Sequence, residues 1–293
     1  MTFFSNEKQV NRQHHATCSN PKRGKRMKSN PARKELQASG EPSSTLTRLT
    51  AILLLIGTIA VPTLLILHDM LGIDEDSGAL AFPAYQRHPI SVFLTYYALM
   101  ATGVLFVLLG PLVYRMYIHL QTPLRLLVLI CMVVAGSTQM IAASRWLIVL
   151  PYFSHIYTNP QTDAATHAAL DVAYQGTSYF LGLTIGEFFY NIFSGLWSVF
   201  LAVMLLRSSH RNVWFHWIGI IGGVGIMLGS FEQIFVNTAP GSIFLSLLTV
   251  GHVAWVIWLV GIAIALLVNK PSVLQREPQS MVQEPVDLST ERQ

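Results

Sequence analysis

Charged side chains are scarce in this sequence. Lys, Arg, Asp and Glu make up 12% of the 293 residues, whereas hydrophobic residues make up 52% and the mean hydropathy is +0.46. A soluble globular domain carries about 25% charged residues. The composition therefore argues against a soluble domain and favours a protein with several membrane-spanning segments.

Cysteines are few, and the common catalytic motifs are missing. Cys18 and Cys131 lie too far apart in the sequence to indicate a disulfide framework or a metal site. No P-loop, Rossmann glycine pattern, His-Glu-x-x-His or Gly-x-Ser-x-Gly sequence occurs. A membrane haem needs paired histidines, and His252 alone lies deep in an apolar segment. We therefore expect no metal and no cofactor, and we do not expect an enzyme.

Long apolar segments are what the sequence does contain. Crossing about 30 Å of hydrocarbon takes roughly 20 helical residues, and unpaired backbone groups exclude irregular structure in lipid. Six segments are long enough: 46–67, 90–114, 124–150, 182–206, 213–236 and 243–268. The sequence therefore predicts an all-α membrane helix bundle with six transmembrane helices over residues 46–268.

The distribution of charge predicts the orientation of the bundle. Residues 1–48 hold ten Lys and Arg against three Glu, and the loops on the same side carry Arg115, Arg125, Arg207 and Arg211. The alternate loops are acidic or uncharged. Because Lys and Arg concentrate in cytoplasmic loops, we expect both termini in the cytoplasm.

The two ends of the chain are polar. We predict disordered cytoplasmic tails at 1–45 and 269–293. Since 1–45 has no apolar run, we expect no cleavable signal peptide, and the first span then serves as an uncleaved anchor. The basic tail is interpreted as an orientation signal and tether, with contact to anionic lipid as the alternative. We expect no nucleic acid partner.

Three local features bear on packing. The pair Gly182-x-x-x-Gly186 in span four and the glycines of span five predict closely packed helices. Pro151 is expected to end the third helix, and a short extracytoplasmic helix is expected at about 162–178, before the fourth span. Aromatic residues near span ends, including Tyr96 and Trp146, are interpreted as anchors at the membrane interface.

Ionisable residues inside the spans are the most informative feature. Arg145, Glu187 and Glu232 fall on three different helices, roughly 6–8 Å below the predicted outer boundary, and His252 lies nearer the centre. Asn191 lies on the same polar stripe of span four as Glu187. Such residues usually face the bundle interior and pair with one another. These five residues are our candidates for a polar pocket.

Two functions are compatible with this cluster. One is an outward-facing pocket that binds or moves a small polar or cationic solute, since one Arg against two Glu leaves a surplus negative charge. The other is a membrane scaffold or accessory subunit whose polar cluster is purely structural. In that case Arg145 pairs with one carboxylate, and the other is protonated or hydrogen-bonded to His252. The sequence leaves the identity of any ligand and the oligomeric state open.

Two blocks of sequence carry a family resemblance. They are "RWLIVLPYFSHIY", which begins at Arg145, and "SGLWSVFLAVMLLRSSHRNVWFHWIGIIGGVGIMLG", which begins at Ser194. Together with the six-helix plan, they resemble a bacterial membrane family known as a domain of unknown function, number 4386, over about 45–268. The resemblance implies a multi-pass protein of the bacterial cytoplasmic membrane. It brings no activity and no catalytic residues.

Overall fold

The computed structural model describes residues 44–73, 77–117, 122–208, 213–235 and 238–268, and these are helical almost throughout, with no strand among them. Six helical runs are long and apolar enough to cross a membrane: Ser44–His68, Pro89–Met116, Leu124–Tyr157, Ala164–Arg207, Val213–Ile234 and Pro240–Val268. We call these runs spans one to six. The predicted all-α, six-span bundle is thus confirmed, and the protein is a multi-pass membrane protein.

Nine α-helices follow one another along the described part of the chain. They are α1 (Ser44–Leu71), α2 (Gly78–Arg87), α3 (Pro89–Met116), α4 (Leu124–Ser144), α5 (Leu150–Tyr157), α6 (Ala164–Thr177), α7 (Tyr190–Ser208), α8 (Val213–Gly229) and α9 (Ala239–Val268). Two π-helical segments, π1 (Arg145–Val149) and π2 (Ser178–Phe189), and a 3₁₀ turn, Ser230–Ile234, join some of them. Apart from residues 44 and 45, which begin α1, the two predicted tails lie outside the described residues.

The bundle exposes large apolar side chains on its surface and buries several hydroxyl side chains within its apolar core. Ile52, Leu108 and Ile221 are 47%, 56% and 63% exposed on its surface. Thr58 and Ser198 are fully buried and hydrogen-bond to the carbonyls of Leu54 and Gly219. Because lipid provides no hydrogen-bond partners, polar side chains are best satisfied in the interior.

Glycines bring spans four, five and six into close contact. A Cβ added at Gly223 would lie 2.6 Å from the carbonyl oxygen of Gly195, so α7 and α8 touch backbone to backbone. Gly225 meets Gly251 of α9 in the same way, since a Cβ there would lie 3.1 Å from the Gly251 Cα. The Gly182 and Gly186 pair instead faces span three, where a Cβ at Gly186 would crowd Ala142.

The third helix does not end at Pro151, and that expectation was wrong. α5 continues the run to Tyr157. The reason lies in π1, which changes the hydrogen-bond register so that Leu150 begins a new α-helix and Pro151 falls in its first turn. A proline is tolerated there because the N–H it lacks has no acceptor within the new helix.

α2, α5 and α6 pack together at one end of the bundle, and we call these three helices the cap. Phe82 of α2 is fully buried, with its ring 5.0 Å from that of Tyr157 and 5.1 Å from that of Tyr174. Asp163 precedes α6 as its N-cap and accepts a hydrogen bond of 2.7 Å from the Thr166 N–H. Span four is 44 residues long, about twice what a membrane crossing needs, so its α6 end extends beyond the hydrocarbon.

Candidate functional site: an intramembrane cavity

A cavity of about 520 Å³ lies between spans one, two, three, four and six. Four of the five predicted pocket residues line it: Arg145, Glu187, Asn191 and His252. Glu232 is not among the described residues that line it. Most of the wall is apolar, and its other members are Val61, Pro62, Leu65, His68, Tyr96, Leu99, Gln139, Ala142, Ala143, Trp146, Gly182, Gly186, Tyr190, Leu248, Val253, Trp255, Val256 and Ile257.

Arg145 is the first residue of π1 and is only 7% exposed. Its Nη1 donates a 2.9 Å hydrogen bond to the carbonyl oxygen of Ser178, the first residue of π2. Gly182 makes room for the guanidinium, because a Cβ at that position would overlap it. The arginine therefore ties span three to span four where both leave α-helical geometry, a feature often found at functional sites.

A stack of aromatic rings continues the wall from Arg145. The guanidinium lies over the Trp146 ring at 4.6 Å, and Trp146 stacks on Tyr96 at 4.6 Å with an angle of 12° between the planes. The Tyr96 hydroxyl hydrogen-bonds to His68 Nδ1. At 2% and 3% exposed, Tyr96 and Trp146 are buried in the protein, which overturns their interpretation as interfacial anchors.

Gln233 connects the two carboxylates, and the sequence reasoning missed it. Its Nε2 donates to Glu187 Oε2, and also to Glu232 Oε2 at 3.1 Å. Glu232 and Gln233 lie on the 3₁₀ turn after α8, so neighbouring residues there point in different directions. Gln233 directly follows Glu232, a predicted site residue, in the sequence. This adjacency is the signal that could have identified it.

His252 lies on α9 and is partly buried. Its Nδ1 is 2.9 Å from the carbonyl oxygen of Leu248, one turn earlier in the same helix. A carbonyl only accepts, so Nδ1 carries the hydrogen and a neutral ring has its acceptor at Nε2. The hydrogen bond described for His252 is therefore to its own backbone, not to the second carboxylate of the predicted network.

Arg145 and Glu187 both line the cavity, and their opposite formal charges cancel. The surplus negative charge inferred from the sequence depended on Glu232, which lies outside the wall. In the described part of the chain, no group of three His, Cys, Asp or Glu side chains is arranged to hold a metal ion. The cavity wall thus offers aromatic surface, hydrogen-bonding groups and one side chain of each formal charge.

The fold and the cavity define a class: a six-span helical membrane protein with a mainly apolar cavity between its spans. The chain belongs to the family described as "Domain of unknown function (DUF4386)", whose model matches residues 49–262. This match confirms the family resemblance and includes spans two to five and most of spans one and six. Neither a curated protein nor a solved structure matches the chain.

Proposed function

We propose that this protein binds a small polar solute in the cavity between its spans. The observation that supports the proposal is the convergence of Arg145, Glu187, Asn191 and His252 on one space of about 520 Å³. Binding sites for small molecules are typically about 300–1,000 Å³, largely apolar, and carry a few polar groups that set orientation. Polar and ionisable residues within a membrane are costly and most often functional.

A solute with polar groups fits this wall better than a cation does. The argument for a cation counted two carboxylates against one arginine, and the cavity is lined by one of each. Movement of the solute across the bilayer would require the cavity to open to each side of the membrane in turn. The cavity therefore supports binding of a solute, and movement of that solute is left out of the proposal.

The two glutamates provide a matched test. Both accept from Gln233, but Glu187 lines the cavity and Glu232 does not. We expect Glu187→Gln to change the set or amount of small molecules retained by the purified protein, and Glu232→Gln to leave it as in the wild type. Untargeted mass spectrometry of retained molecules, with thermal unfolding of each variant, provides the readout.

A second function is favoured by the way the polar groups satisfy one another. Arg145 binds a backbone carbonyl, and Gln233 bridges two carboxylates, which is what a purely structural network in a scaffold or accessory subunit requires. In that case both glutamine variants lower the unfolding temperature and neither changes the retained molecules. Reproducible co-purification of a partner protein with the wild type would then identify the complex.

The site of action we propose is the cytoplasmic membrane of a bacterium, with both termini in the cytoplasm. Six apolar helices and the family membership support a multi-pass protein, and the charge distribution of the loops supports the orientation. The bilayer is then the main partner. We also propose that the basic residues within 1–45, which lie outside the described part of the chain, contact anionic lipid.

A further inference from the structure

Three apolar residues of the cavity wall also lie on the surface of the bundle. Leu65 of α1 is 51% exposed, and Val253 and Ile257 of α9 are 57% and 56% exposed. We call these three residues the rim. Trp255, which lies between two of them in the sequence and also lines the cavity, is only 2% exposed. A side chain that both lines a cavity and is largely exposed marks the edge of an opening, here between spans one and six.

The exposed residues of α9 show which way this opening faces. Ile243, Val250, Val253 and Ile257 are each more than half exposed, and their spacings of seven, three and four residues put them on one face of the helix. Ile243 and Val250 are not among the described residues that line the cavity, so this face is exposed to the surroundings of the bundle. In a membrane protein, such an apolar face contacts the lipid tails. The opening at Val253 and Ile257 therefore faces the hydrocarbon of the bilayer.

The packing of α1 changes at Pro62, on the other side of the opening. Before it, Ala51 and Leu54 are buried in the same core as Leu259 of α9. From Pro62 to His68, every residue is exposed or half-buried. Pro62 lies inside the helix and has no N–H, so the carbonyl four residues earlier loses its helical hydrogen bond, and prolines at such positions kink a helix. The part of α1 that leads to the cap is therefore largely uncovered, and this is the part that borders the cavity.

Polar and apolar parts of the wall are separated along the spans. Arg145 and His68 lie against the Trp146 ring, which belongs to the core shared with the cap. Successive spans run in opposite directions, so α9 begins on the cap side. Ile257 is five residues beyond His252 on α9, roughly 7–8 Å farther from the cap. The cavity therefore presents polar groups toward the cap and apolar residues farther from it.

From these observations we infer that the cavity takes its ligand from the bilayer, through the opening between spans one and six, and that the ligand is a single-chain amphiphile. Its polar head lies among the polar side chains near Arg145, and its chain passes the apolar rim into the hydrocarbon. A wholly polar molecule would lose its hydration before it reached an opening that faces lipid. This inference rests on the proposed binding function and adds to it the class of the ligand and its route of entry.

Photoreactive probes test the ligand class. Three probes share a hexadecyl chain that carries a diazirine, and they differ in the head, which is a hydroxyl, a carboxylate or an amine. A butyl alcohol that carries the same diazirine is the water-soluble comparison. Each is irradiated with the full chain in lipid nanodiscs, and mass spectrometry identifies the labelled peptides. We expect at least one hexadecyl probe to label residues 61–68 and 248–257, an excess of the same compound without diazirine to abolish this labelling, and the butyl alcohol to give no labelling that competition removes.

Matched variants test the opening. Leu65→Trp and Val253→Trp each place a larger side chain at the rim, and we expect each to weaken binding of that probe by about tenfold, which corresponds to about 1.4 kcal/mol of binding free energy. Ile66→Trp and Val250→Trp are the controls, because both residues are exposed on the same two helices but are not among the described residues that line the cavity. Thermal unfolding identifies any variant that is not folded, and the pair on the other helix then carries the test.

The outcomes separate this inference from the proposed function. Labelling that competition does not reduce, or that falls equally in rim and control variants, would overturn the inference. Competable labelling by the butyl alcohol as strong as that by the hexadecyl probes would show entry from water, and the proposed binding function would stand. A dimer in native mass spectrometry whose rim peptides are protected from every probe would show that a second copy covers the opening, and would also overturn the inference. The proposed function itself is judged by the molecules retained by the Glu187→Gln and Glu232→Gln variants.

Discussion

At the scale of single residues, the position of Arg145 depends on an absent side chain. The guanidinium occupies the space over Gly182 and reaches the Ser178 carbonyl from there. A glycine in this helix gives up helix propensity, because it loses more backbone entropy than alanine on folding. The space over Gly182 lets the buried guanidinium reach a carbonyl oxygen. An arginine only donates hydrogen bonds, so the carbonyl oxygen is the backbone group that can pair with it.

The first prediction follows from this contact. Gly182→Ala should displace the guanidinium and lower the free energy of unfolding by about 1–3 kcal/mol, the cost of leaving a buried polar group without its bond. Thermal unfolding of the purified protein measures the change. Gly176→Ala is the matched control in the same helical run, because nothing lies within 4 Å of a Cβ added there. Equal unfolding temperatures for the two variants would refute the role given to Gly182.

The sequence pointed to some residues of the cavity and not to others for a physical reason. Arg145, Glu187 and His252 are rare in apolar runs, so their cost in lipid marks them. Tyr96, Trp146 and His68 occur near span ends, where residues of these types are common at a membrane interface. Whether such a residue is buried in the bundle or lies at the membrane interface depends on how spans one, two and three pack. The periodicity of the sequence carries no information about that packing.

At the scale of elements, the two π segments both contribute to the cavity wall. π1 begins with Arg145, and π2 contains Gly182, Gly186 and Glu187. The π turn is wider than an α turn, as shown by the Tyr190 N–H bonding to the Ile185 carbonyl five residues earlier. A period of 3.6 residues predicts faces correctly only within an α-helix, so the passage of span three through Pro151 did not follow from the pattern.

The start of α6 gives a prediction about pH. Hydrogen bonds from the side chain and the backbone N–H of Thr166 hold the pKa of Asp163 below its ordinary value. Because the pKa is lower in the folded chain, the ionised carboxylate stabilises the first turn of α6 above the unfolded pKa of about 3.9. That stabilisation is lost as the pH falls through the folded pKa.

Hydrogen exchange tests this directly. Protection of the amides in the first turn of α6, corrected for intrinsic exchange, should hold above about pH 5 and decline as the pH falls below the unfolded pKa and through the lower, folded pKa. Asn caps helices about as well as Asp but does not titrate, so Asp163→Asn should keep the protection and remove its pH dependence. An identical decline in the variant would show that another group is responsible.

At the scale of the whole molecule, the cap and the cavity share part of their structure. Tyr96 and Trp146 belong to the buried core that includes Phe82 and Tyr174 of the cap, and the same two residues line the cavity. The cap therefore cannot shift without moving that wall of the cavity. The family match over 49–262 includes both regions.

The last prediction concerns the orientation of the bundle in the membrane. This orientation determines which side of the membrane the cap and the Arg145 region of the cavity face. The loop charges favour a cytoplasmic C-terminus and an extracytoplasmic cap. In a chain with Cys18→Ser and Cys131→Ser, a membrane-impermeant maleimide added to intact spheroplasts should label Pro160→Cys, an exposed position between α5 and α6. Gln293→Cys should be labelled only after the membrane is permeabilised. The reverse pattern would invert the topology, and a ligand would then reach the Arg145 region from the cytoplasmic side.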